Sequence, residues 1–110
     1  PTAFPRMLPR DDGMTVEDFI DQIDYVADLV GIDHVGVGTD MCEGWTEDPE
    51  RYKMLIEIDG RVYTWPEGLR TITDLRDMPG HLLARGYGEE DIVKIIGGNL
   101  QRVFQEVWGQ

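Results

Sequence analysis

The stretch TVEDFIDQIDYVADLVGIDHVGVGTD, residues 15–40, decides the fold class of this chain. Thr15 is placed to open a helix: its hydroxyl can cap the first turn, with Asp18 three residues on and Glu17 beside it. Apolar residues then recur at Phe19, Ile20, Ile23, Val26, Ala27 and Val30, the spacing of a helix with one buried side. Gly31 suits the left-handed residue that commonly ends a helix. The β-branched run Ile32–Thr39 follows at once and reads as a strand, the αβ step of a parallel sheet. Period-two alternation puts Val35, Val37 and Thr39 on one face and His34, Gly36, Gly38 and Asp40 on the other. Glycine inside a strand costs stability, so two on one face imply crowding there, by neighbouring side chains or by a ligand.

Outward from this stretch, residues 1–14 hold Pro1, Pro5 and Pro9 and finish in Asp11-Asp12-Gly13, which predicts an extended loop. Phe4, Met7 and Leu8 within it call for something to pack against. Residues 41–53 read as loop. Met54–Ile58 and Arg61–Trp65 are two β-rich runs separated by Asp59-Gly60, a strong hairpin signal. Pro66-Glu67-Gly68 ends the hairpin. A short helix is expected from about Pro79 to Arg85, stopped by Gly86. Glu89-Glu90-Asp91 open another, because acids favour a helix N-terminus. Gly97-Gly98 break it, and Asn99 is placed to cap a final helix carrying Leu100, Val103, Phe104 and Val107. The expected layout is one partial domain over 1–110: loop 1–14, helix plus strand 15–40, loop and hairpin 41–65, helices 66–110.

The chain has 110 residues, too few for a closed eight-fold barrel of roughly 250. Ten basic against 22 acidic residues give a net charge of −12, which argues against nucleic acid and anionic membrane surfaces. One cysteine, Cys42, permits no internal disulfide and implies no oxidising compartment. The chain begins with Pro1 instead of Met, which suggests processing or a fragment.

Asp40 is the candidate functional residue. A carboxylate at the C-terminal end of a parallel strand sits where α/β folds place their sites. It can orient a water, meet a metal or act as a general base; the competing reading is a cap on the following turn. His34 and His81 have no metal-ligand spacing around them. At the rise of a strand, His34 stands roughly 20 Å from Asp40 and cannot share a metal with it. Cys42 lacks the base or cation that would activate a thiol and reads as a small residue near a pocket. Trp45, Tyr63 and Trp65 suit a pocket rim or simple hairpin packing.

Residues 15–40, together with PEGLRTITDLRDMPGHLLARGYGEEDIVKIIGGNLQRVF at 66–104, resemble the closing part of the renal or membrane dipeptidase family of the amidohydrolase superfamily. The resemblance implies an α/β fold, a (β/α)8 TIM-type barrel of which this chain supplies the last helix–strand step, a hairpin insertion and the closing helices. It implies two zinc ions sharing a hydroxide that attacks a dipeptide or small amide substrate. Asp40 matches the family's aspartate at the end of the eighth strand, which handles the proton of that water and meets the substrate's amino end. The family's metal ligands, an H-x-D pair, a bridging glutamate and two further histidines, match nothing in residues 1–110. Asp40-Met41-Cys42-Glu43-Gly44 departs from the family's Asp-Phe-Asp-Gly, which puts the dipeptide substrate in question more than the hydrolytic class. Two expectations follow. One is the Asp40-bearing part of a zinc dipeptidase-like hydrolase, inactive alone and needing the rest of a barrel or self-association. The other is a non-catalytic acidic interaction module.

Overall fold

The first helix, α1 (Val16–Val30), starts where Thr15 sets it. The Asp18 carboxylate accepts the Thr15 backbone N–H at 2.8 Å, and Glu17 and Asp18 place negative charge on the first turn. Gly31 ends the helix at φ 88, its N–H donating to Ala27 O at 2.9 Å. The structure is a computed structural model and describes residues 1, 3, 13–41, 44, 48–60 and 64–109. The expectations for Phe4, Met7, Leu8, Cys42, Trp45 and Tyr63 lie outside the described residues.

The β-branched run behaves differently from its expected strand. Ile32–His34 forms a 3₁₀ turn, and only from Val35 (φ −102, ψ 137) does the backbone extend. Among the described residues no β-ladder forms; an isolated parallel bridge joins Thr15 to Glu67. A strand needs partners for its backbone groups. Here those groups turn elsewhere: Val37 N–H donates to Ile95 O at 3.3 Å and Ala3 N–H to Thr39 O at 2.9 Å. The alternation survives in burial, with Val35 and Thr39 buried while Gly38 and Asp40 are exposed.

The hairpin arm Met54–Ile58 is helical, part of α2 (Pro49–Asp59). Asp48 caps α2 by accepting from the N–H groups of Glu50 and Arg51 at 3.0 and 3.4 Å, and Pro49 occupies the first turn. Gly60, at φ 67, ends it in the left-handed conformation, with its N–H on Ile56 O. The Asp-Gly pair is therefore a helix stop and not a two-residue turn.

Three further helices follow as expected: α3 (Met78–Arg85), α4 (Glu89–Val93) and α5 (Asn99–Trp108). A 3₁₀ turn, Ile72–Asp77, precedes α3, and a π turn, Lys94–Gly98, joins α4 to α5. Gly97 leaves helical geometry inside that turn, so the expected break is a kink. A Cβ on Gly98 would meet Val93 O at 3.0 Å, a tight contact that the backbone would have to relieve by a small shift. The core lies between α1 and the α3–α4 pair: Phe19, Ile20 and Ile23 cluster with Met78, Leu82, Ile92 and Ile95, and Val35 joins them. No described helix is long and apolar enough to cross a membrane.

An ionic clamp closes α1 onto α3. Glu17, Asp21 and Asp24 recur at helical spacing on α1, and the Arg85 guanidinium meets each at 2.6 Å. Tyr87 donates its hydroxyl hydrogen to Asp24 at 2.6 Å, and burial with this bond pushes its pKa up. Arg85→Gln is expected to destabilise the chain by about 1–2 kcal/mol, since three like charges then share one face at a partly exposed site. Urea unfolding at rising salt checks it: screening should narrow the gap to the parent chain. A gap that widens with salt would contradict the clamp.

Candidate active-site segment

Val35–Asp40 is held from behind by the C-terminal helices. Asn99 is buried, and both hydrogens of its Nδ2 are used, on Ile32 O at 2.7 Å and Val35 O at 2.8 Å. Asn99 was expected to cap the last helix; instead it is the first residue of α5 in helical geometry, its side chain turned onto this segment. Arg102 donates to Asp33 O at 2.9 Å, and Lys94 pairs with the Asp33 carboxylate at 2.8 Å. The Lys94 hydrogen bond and charge hold the Asp33 carboxyl below its ordinary range. The expected crowding of the glycine face is met at Gly36, where a Cβ would stand 3.2 Å from the Leu100 side chain.

Asn99→Leu leaves two carbonyls without this donor, and a loss of about 2–3 kcal/mol is expected. Denaturant unfolding measures it, and faster amide exchange at Val37 should accompany it. Unchanged stability would show that the two bonds carry nothing.

At the far end of the segment Thr39 is buried, its Oγ1 accepting the Met41 N–H at 3.4 Å. Asp40 follows at φ 56, the only non-glycine residue in the left-handed region among those described, and it is exposed. Asp tolerates this conformation better than most residues, because its short polar side chain can satisfy nearby backbone groups. The turn takes the chain off its extended line at the carboxylate.

Among the described residues the two histidines do not gather around Asp40. His34 sits at the opposite end of the segment and lines a cleft with Asp33, Lys94, Asn99 and Arg102. His81 lies on α3 with its Nδ1 3.6 Å from Glu17 Oε1. Trp65 is half-buried and packs against the core. Among the described residues no three His, Cys, Asp or Glu side chains converge as a metal-binding group. These residues therefore do not fit the two zincs that the resemblance implies, and they support no step through a metal. What they offer is one accessible carboxylate at a fixed turn, able to accept or return a proton. Residue patterns did not single out Asn99 in this role, nor the Arg85 clamp, although the spacing of Glu17, Asp21 and Asp24 was a visible signal for the latter.

A family model described as membrane dipeptidase (peptidase family M19) matches residues 2–64 and 59–109. The chain is 32% identical over 96 residues to the dipeptidase aclJ of Aspergillus oryzae, covering 87% of this chain and 18% of that protein. It is 33% identical over 88 residues to the dipeptidase ataJ of Aspergillus terreus, covering 80% of this chain and 17% of that one. The chain thus spans less than a fifth of the length of these relatives. An amidohydrolase from Pseudomonas aeruginosa, solved as a crystal structure, superposes with a TM-score of 0.80 at 32% identity. That match covers 99% of this chain and 35% of the other.

Proposed function

The chain belongs to the membrane dipeptidase family, and from that premise we propose that it is the Asp40-bearing portion of a hydrolase acting on a dipeptide or a related amide. In this reading residues 15–40 are the last helix-and-strand step of a (β/α)8 barrel, and residues 66–110 are its closing helices. Asp40 accepts the proton of the attacking water and meets the amino end of the substrate. Two zinc ions would activate that water when bound, held by residues other than those described. The observation that carries the reading is the placement of Asp40. It is an exposed carboxylate on a left-handed turn, at the end of a segment anchored by Asn99, within the family match over residues 2–64.

The test uses a graft in which residues 1–110 replace the matching third of the Pseudomonas aeruginosa amidohydrolase, beside the chain alone. The graft is expected to hydrolyse a dipeptide, and the chain alone is not. A folded graft without turnover would remove the hydrolytic reading. Tight stoichiometric zinc with turnover in the chain alone would overturn the placement of the metals elsewhere.

A further inference from the structure

The π turn Lys94–Gly98 decides which groups reach the segment that ends in Asp40. In an α-helix the Asn99 N–H would bond the carbonyl of Ile95, four residues back. Here it reaches one residue further, to Lys94 O. The Ile95 carbonyl instead accepts the Val37 N–H at 3.3 Å. The same turn brings the Asn99 side chain onto the segment, where Nδ2 donates to Ile32 O at 2.7 Å and Val35 O at 2.8 Å. One irregular turn thus supplies an acceptor for Val37 and two donors for the carbonyls before it. Short π turns inside helices recur at functional sites. Leu100, next along from Asn99, closes on Gly36, where a Cβ would stand 3.2 Å from its side chain. From Val35 the backbone is extended, and Val35 and Thr39 are both buried. Asp40 follows five residues after Val35, at the end of a packed segment whose near end Asn99 holds.

We infer that Asn99 is a positioning residue for Asp40: the π turn sets its amide on Ile32 and Val35, and that hold fixes the place of the carboxylate, an assignment that rests on the reading of Asp40 as the group that takes the water's proton. Both Nδ2 hydrogens are committed to the segment, so Asn99 acts through the carboxylate and not on the substrate. Two carbonyls served by one nitrogen call for a primary amide; neither Asp nor Leu at this position has a hydrogen to offer. A displacement of about 1 Å at a reacting group, caused from a distance, can cost on the order of 100-fold in rate.

A double-mutant cycle on kcat tests it in the dipeptide-hydrolysing graft, at a temperature where every variant is folded. Asn99→Leu is expected to lower kcat by about 100-fold. In the Asp40→Asn background the same substitution should cost nothing further, because no carboxylate remains to be placed. Leu82→Ala, which empties a fully buried site in the core, should leave kcat per folded molecule unchanged. Gly98→Ala is the second variant, to be read if Asn99→Leu does not fold. It keeps every hydrogen-bonding side chain, but its Cβ meets Val93 O at 3.0 Å and the turn must shift. A smaller loss of kcat, again absent in the Asp40→Asn background, is expected. Full kcat in Asn99→Leu, or in Gly98→Ala where Asn99→Leu is unfolded, overturns the positioning role and leaves Asp40 in the reaction. So do losses that multiply with that of Asp40→Asn, and a loss in Leu82→Ala as large as that in Asn99→Leu. Full turnover in Asp40→Asn, or a folded graft with none, removes the reading of Asp40 itself and the positioning role with it.

Discussion

Phe19→Ala is expected to destabilise the chain by about 3–5 kcal/mol, the cost of emptying a fully buried aromatic site. Phe19 is 0% exposed and sits in the cluster that joins α1 to Met78 and Leu82 of α3 and to Ile92 and Ile95 beyond it. Its removal takes away apolar burial and leaves a cavity that the two helices can close only by shifting against the Arg85 clamp. A domain of this size has a total stability of roughly 5–15 kcal/mol, so the substitution removes about a fifth of it or more. Leu29→Ala is the matched control. Leu29 belongs to the same helix but is 68% exposed, and a change there should stay within about 0.5 kcal/mol. Urea unfolding followed by circular dichroism measures both. A Phe19→Ala loss below about 1 kcal/mol would mean that the α1 stripe is not the packed face.

The contrast between Phe19 and Leu29 also shows which parts of the fold were readable in the sequence. α1 was legible because cap, stripe and glycine stop agree over sixteen consecutive residues, Thr15 to Val30. α3 and α4 were legible from Gly86 and the acids at 89–91 in the same way. Met54–Ile58 was misread because five β-rich residues beside Asp-Gly fit a hairpin and a helix end equally well. The deciding signal was Asp48-Pro49, eleven residues before Gly60, which fixes a helix start with a matching stop. Ile32–His34 was misread because a strand depends on neighbours that a local pattern cannot supply. Asn99 shows the same limit in another form. Its position at the helix start suggested a cap, yet its partners are carbonyls 64 and 67 residues away. Of the candidate site, Asp40 was legible as a lone carboxylate after a β-branched run; the anchor behind it was not, since only the tertiary fold brings α5 to that run.

Asp40→Asn in the dipeptide-hydrolysing graft is expected to lower kcat by about 10²–10⁴, the range for loss of a general acid–base group. The substitution is chosen to separate chemistry from conformation. Asn keeps the size and shape of Asp and tolerates the left-handed backbone that Asp40 adopts at φ 56. Asp40→Ala does not, and adds roughly 1–2 kcal/mol of backbone strain to whatever chemistry is lost. If the carboxylate serves only as a turn former, Asn should therefore preserve turnover while Ala reduces it through the fold. If it handles a proton, both should lose turnover, and Asn should do so with unfolding stability unchanged. Contact with the substrate's amino end adds a second signature: loss of the negative charge should raise KM for a dipeptide with a free amino terminus more than for an N-acylated analogue. Metal content of the graft, measured in parallel, should match that of the unsubstituted graft. Full turnover in Asp40→Asn would take Asp40 out of the reaction and leave it as the residue that turns the chain.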